Sequence, residues 1–223
     1  MNFHGRAKKL LITGIYWVLL ILSLIHPVYP DEQWLQHTAS LAATLIMLWF
    51  ILHPWLSDRS FLLFALFMSL HTLGARWIYT YVPYESWIHT VSGMRINEVF
   101  GWERNHYDRL VHFAYGLLLF IPIREILMKR FSYRLSQASF TACCFIVASG
   151  AVYELFEWSL IYLMDPWDAE NYNGQQGDRW DAQKDMALAA LGTIVAAGAA
   201  FLSAHLPGLR KHSDTLQEKL TQG

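Results

Sequence analysis

Tyr107-Asp108-Arg109-Leu110-Val111-His112-Phe113-Ala114-Tyr115-Gly116, continuing apolar almost without break to Met128, is the stretch on which the reading of this chain turns. A bilayer crossing needs about 20 apolar residues, and 107–128 is long enough to be one. Yet its first turns hold an acid and an imidazole. An ionisable group at bilayer depth costs a few kcal/mol or more and normally faces the protein interior. On a helix, residues four apart share a face about 6 Å apart along the axis, so Asp108 stands directly above His112. An acid beside an imidazole raises its proton affinity or fixes its tautomer for ligation. The plainer reading is a helix-start aspartate with a histidine packed in a polar gap.

Working outward, five more apolar blocks reach bilayer length. With 107–128 they run approximately 10–27, 35–53, 61–82, 107–128, 138–163 and 185–206, which predicts an all-α bundle of about six transmembrane helices in a single membrane domain. The chain is 54% hydrophobic and 15% aromatic, in agreement with that class. The basic, apolar N-terminus (Arg6, Lys8, Lys9, then Leu10 to Ile25) imitates a secretion signal. His26-Pro27-Val28-Tyr29-Pro30 offers no small-residue cleavage site, so an uncleaved first span is expected.

Charge sets the expected direction. With the N-terminus inside, eleven of the 17 Lys and Arg fall on cytoplasmic positions (Arg6, Lys8, Lys9, Arg59, Arg124, Lys129, Arg130, Arg134, Arg210, Lys211, Lys219). The outer side and outer span ends hold the other six: Arg76, Arg95, Arg104, Arg109, Arg179 and Lys184. That asymmetry predicts both termini in the cytoplasm of a bacterial cell, with Arg210-Lys211-His212 after Pro207-Gly208 as a cytoplasmic stop. Two long outer loops follow. Residues 83–106 form a semi-amphipathic run expected to lie flat on the membrane, and residues 164–184 are polar, turn-rich and acidic. Trp34, Trp77, Trp87, Trp102, Trp158, Trp167 and Trp180 then form an outer aromatic belt, with Trp49 and Trp55 on the inner side.

Several function classes are excluded. There is no basic face for nucleic acid, no His-Glu-x-x-His, no Gly-x-Ser-x-Gly elbow and no Gly-rich phosphate loop. The two cysteines, Cys143 and Cys144, are adjacent in an apolar block and read as packing residues.

Two further spans repeat the anomaly of the fourth. The fifth carries Tyr153-Glu154-Leu155-Phe156-Glu157, whose two acids are three apart on one face. Glu157 reaches the interface, whereas Glu154 lies about two turns below the outer end. Carboxylates that close repel, so at least one is protonated, paired or metal-bound. The sixth opens Asp178-Arg179-Trp180-Asp181-Ala182-Gln183-Lys184-Asp185. Acids in a first turn suit the helix dipole, which accounts for Asp181 better than for Asp185. Ala and Gly on every face after Asp185 predict close helix packing, with this span central. In the third span Arg76 could snorkel or pair with Glu154 or Asp185, and His71 is placed near mid-membrane, where a carbonyl partner would suit it.

The motifs 107–115, Glu154, and Asp178-Arg179-Trp180-Asp181 leading to Asp185 and Gly192 resemble those of the bacterial inner-membrane YjdF family. That likeness covers essentially the whole chain and brings no established activity with it. Over about 107–200 the chain is also similar to VanZ-like membrane proteins, some of which affect susceptibility to teicoplanin. Here Glu157 stands where those sequences often have Gln, and the outer loop before the last span is longer. The resemblance carries over Asp108, His112, Glu154, Arg179, Asp181 and Asp185 as motif residues.

The candidate polar site is therefore Asp108, His112, Glu154, Glu157, Asp181, Asp185, Arg76, Arg109 and Arg179, facing the periplasm. Four uses fit it. It could bind or process a lipid or lipid-linked envelope component, with arginines on phosphate and tryptophans beside a chain or sugar. It could hold a divalent metal through Asp108, His112, Glu154 and Asp185, with Glu157 a further possible ligand. It could couple protons to transport, or only lock helices together by polar contacts. The sequence does not decide between enzyme, transporter and binding protein.

Overall fold

In a computed structural model, residues 3–205 are described, and every regular element among them is helical. The tail Arg210-Lys211-His212, read above as a cytoplasmic stop, lies outside the described residues. The elements are α1 (Phe3–Leu24), α2 (Pro30–Leu52), α3 (Asp58–Arg76), α4 (Tyr84–Ser92), α5 (Ile96–Phe100), α6 (Tyr107–Phe131), α7 (Leu135–Leu160), α8 (Pro166–Asn173) and α9 (Asp181–His205). Five of them, α1, α2, α6, α7 and α9, are long and apolar enough to cross a membrane. At 19 residues α3 has the length, but Ser60, Ser69, His71, Thr72 and Arg76 dilute its apolar run. Backbone satisfaction explains why only helices appear: each long segment meets its own N–H and C=O groups, as hydrocarbon requires.

The long helices alternate in direction and pack as two trios, α1–α2–α3 and α6–α7–α9, joined where α3 lies along α6. The sequence places the last span at the centre of the bundle; in the structure that position belongs to α6. Its neighbours are α3, α7 and α9, while α9 packs mainly on α6 and α7 and leaves Ile194, Phe201 and Leu202 exposed. The small residues of α9 serve one intimate contact instead of many. A Cβ on Gly192 would stand 2.1 Å from the Phe113 carbonyl oxygen, and one on Gly116 would stand 1.9 Å from that of Ala189. The two backbones therefore touch, in the small-residue manner of membrane helix pairs. Leu11, Leu41, Leu45 and Phe140 point outward and are more than half exposed, as lipid-facing residues would be.

Several boundaries differ from the sequence expectation. The third block was expected to run to 82, but α3 stops at Arg76. Ile78 and Tyr79 take positive φ (42° and 58°), and the Tyr79 N–H donates to the Gly74 carbonyl at 2.8 Å. This fold-back lays the Tyr79 ring on Gly74, where a Cβ would come within 2.8 Å of it. Residues 83–106 form α4 and α5 with Val91, Val99 and Phe100 largely exposed. The turn-rich 164–184 loop contains α8, whose Ala169, Asn171, Tyr172 and Asn173 are buried. That loop is packed into the structure and does not simply hang from it.

At the end opposite the polar helix starts, Lys9 is almost fully buried and donates to the Leu56 carbonyl at 2.6 Å. Glu125 accepts from the Ser57 N–H and hydroxyl, and pairs with Lys129 at 2.6 Å.

Candidate functional site

Helix starts and loop paths build the site. The segment before α6 is pinned by Asn105, whose N–H donates to Gln176 Oε1 (2.9 Å) and whose side-chain amide donates to the Val82 carbonyl (2.8 Å). Arg104 beside it donates to the Gly174 and Gln175 carbonyls at 3.0 and 2.9 Å. Gly174, Gln176 and Gly177 all have positive φ, and this tight coil wraps those carbonyls around the guanidinium. The start of α9 is thereby carried over the start of α6.

Two tiers of charge result. In the upper tier Asp181 accepts from Arg104 at 2.5 Å and from Arg109 at 3.2 Å. Asp178 pairs closely with Arg109, takes Lys184 at 2.6 Å and accepts from the Trp180 N–H at 3.1 Å. The Lys184 ammonium, with the Trp180 amide and Arg109, holds the Asp178 carboxyl well below the usual carboxylate range. His106, at the N-cap of α6, is held below its ordinary value by burial and by the Arg109 and Arg104 guanidiniums.

One turn deeper lies a second tier drawn from three helices. His112 Nε2 is 3.6 Å from Asp108 Oδ1 and 3.7 Å from Glu154 Oε1. Asp108, His112 and Asp185 each present a ligand atom within 4.8 Å of the others. These separations exceed hydrogen-bond length, leaving room among the groups. Asp185 is 2% and Glu154 7% exposed, and Asp185 Oδ1 and Glu154 Oε1 accept no hydrogen bond.

The tier stands between two cavities. One, of about 220 Å³, is lined by Asp108, His112, His71 and Tyr79, by Phe67, Val111 and Tyr115, and on the α7 side by Ser149, Gly150 and Tyr153. The other, of about 410 Å³, is lined by Glu154, Glu157, Asn173, Arg179 and Asp181.

Of the residues singled out in the sequence, Asp108, His112, Glu154 and Asp185 are brought together, and Arg109 and Asp181 form the tier above. Glu157 and Arg179 line the second cavity, and the Arg179 guanidinium sits over Trp180 at 5.6 Å. Arg76 is not part of the cluster. It donates to the carbonyls of Leu22, Ser23 and Ile25 at 2.7–3.1 Å, closing the end of α1. Its place at the α3 terminus aims it at the orphan carbonyls of α1, not at Glu154 or Asp185. His71 bridges the Gln36 carbonyl (3.1 Å) and the Tyr79 hydroxyl (2.5 Å). With the carbonyl as acceptor, its Nε2 donates and its Nδ1 accepts from Tyr79. Sequence reasoning missed Arg104, which sits in a loop where no helical spacing ties it to an acid. It also left Asp178 outside the site, although the three-residue step to Asp181 was visible.

No solved structure matches this chain. It is 37% identical over 123 residues to the inner membrane protein YjdF of Escherichia coli, an alignment covering 55% of this chain and 54% of that protein. The aligned stretch thus spans about half the length of the curated relative. These comparisons add nothing to the VanZ-like resemblance. A model of predicted membrane proteins, DUF2238, matches residues 8–206, nearly the whole described chain. The chain belongs to the DUF2238 family of membrane proteins.

Proposed function

We propose that this chain is a multi-pass inner-membrane protein whose site, in the extracytoplasmic leaflet, receives the polar head of a membrane amphiphile, a lipid or a lipid-linked envelope component. The observation that carries the reading is the first cavity, where Asp108 and His112 share a lining with Phe67, Val111 and the Tyr115 and Tyr153 rings. A ligand with a polar head and a chain matches that mixed lining. The name of the E. coli relative supports the inner-membrane location, and the Lys and Arg asymmetry supports the direction. A network serving only to lock helices would have its acceptors filled; Glu154 Oε1 and Asp185 Oδ1 are not.

Gly150 supplies the test. It borders the cavity, and a Cβ there would meet nothing within 4 Å. Gly150→Leu should fill the slot without straining the backbone. Native mass spectrometry from mild detergent should show a retained amphiphile in the wild type and its loss in Gly150→Leu, with thermal stability kept. The same lipids in the same amounts in both proteins would refute the reading.

A further inference from the structure

The deeper tier has a charge balance that the described side chains do not complete. Arg104, Arg109 and Lys184 are engaged by Asp178 and Asp181 above it. Below them, the ion pairs that reach Asp108 and Glu154 come from His112. Asp108, Glu154 and Asp185 therefore crowd one imidazole at membrane depth. Buried carboxylates are retained where they are paired or coordinate a metal.

We propose that Asp108, His112 and Asp185, with Glu154 as fourth ligand, hold a divalent transition-metal cation. Three observations converge. The ligand atoms of Asp108, His112 and Asp185 already lie within 4.8 Å of one another. His112 Nε2 faces the Asp108 and Glu154 oxygens at 3.6 and 3.7 Å. Around a cation with bonds of about 2.0–2.2 Å, neighbouring ligand atoms stand about 3–3.5 Å apart, so Asp108, His112 and Asp185 need only close in, while Glu154, outside that group of three, must also turn its carboxylate toward them. Finally, Glu154 Oε1 and Asp185 Oδ1 are buried without a hydrogen-bond donor, the condition of lone pairs waiting for a cation.

The donor chemistry narrows the metal. Three carboxylates and one imidazole suit zinc, manganese or ferrous iron better than magnesium or calcium, which favour all-oxygen shells. A doubly positive centre also brings the tier close to neutrality. The ligands come from α6, α7 and α9, so the cation clasps the second trio at its polar end. The first cavity meets this centre at Asp108 and His112, so a phosphate or carboxylate head in the slot could reach an open coordination position. That last step rests on the amphiphile reading; the metal assignment does not.

The test uses the full chain carrying a tag without histidines, purified in mild detergent without chelator. Elemental analysis should find close to one zinc, manganese or iron per chain. After stripping with chelator, added Zn²⁺ or Mn²⁺ should raise the thermal midpoint of the wild type. Asp185→Asn should lose roughly tenfold or more in metal affinity, whereas Glu98→Gln, an exposed acid in α5 paired with Arg95, should keep its metal. Wild-type protein that takes up no stoichiometric Zn²⁺ or Mn²⁺ after stripping overturns the site, whatever happens to the variants. Metal loss as deep in Glu98→Gln as in Asp185→Asn overturns the ligand set. Metal content and retained lipid are separate readings, so either proposal can fail while the other stands.

Discussion

Arg104 shows what a single side chain does at this site. It spans the Gly174 and Gln175 carbonyls and Asp181, so it ties the α8–α9 loop to the start of α6. Replacing it by Met leaves those carbonyls without their donor and a nearly buried Asp181 with Arg109 alone. Removing one member of a buried pair costs about 3–5 kcal/mol. With Arg109 still in place, Arg104→Met should cost about 2 kcal/mol, readable in thermal or denaturant unfolding in detergent. Asp178 gives a pH signature. Its folded carboxyl titrates below the ordinary value, chiefly through Lys184, so its stabilising effect is present above the unfolded aspartate value of about 3.9 and is lost as pH falls through the folded value. The gap in thermal midpoint between wild type and Asp178→Asn should be constant from pH 7 to about 5 and shrink below about 4. A gap independent of pH down to about 2.5 would count against the pairing.

Among the elements, the α6–α9 pair carries the tightest constraint. The Cβ positions of Gly116 and Gly192 are filled by backbone atoms of the facing helix, which cannot swing away as a side chain can. Gly116→Ala and Gly192→Ala should each push the helices apart and cost about 1–3 kcal/mol, as overpacking does. Gly150→Ala in α7 meets open space and should be neutral, or stabilising by about 0.5–1 kcal/mol, because alanine loses less entropy than glycine in a helix. Comparing unfolding of the three variants checks both statements together. The glycines were visible in the sequence. Which of them touches a neighbour was not, because helical spacing leaves open how a helix is rotated about its own axis. For the same reason the alanine-rich last span read as central, although α6 holds that position.

At the scale of the whole molecule, two trios meet along α3 and α6, and all the polar helix starts and ends that build the site lie at one end of the bundle. The count of Lys and Arg predicts that this end faces outside. In a Cys143→Ser, Cys144→Ser background, a cysteine introduced at Ser92 should react with a membrane-impermeant maleimide in cells with an opened outer membrane. One introduced at Ser132 should react only after lysis. The reverse pattern would invert the topology and put the site on the cytoplasmic face.

The helical, membrane-embedded class was determined by the chain alone, since about 20 apolar residues and a self-satisfied backbone are local requirements. The presence of Asp108, His112, Glu154 and Asp185 within or at the mouths of such stretches was equally local, and it marked them as costly. Only the tertiary structure decided that they meet around one imidazole, that Arg104 reaches Asp181 above them from a loop, and that Arg76 turns away to close α1. The physical reason is that helix rotation, depth and loop path depend on packing between distant segments. Backbone contact at Gly116 and Gly192 and the coil at Gly174–Gly177 set those relations, and no periodicity along one helix encodes them.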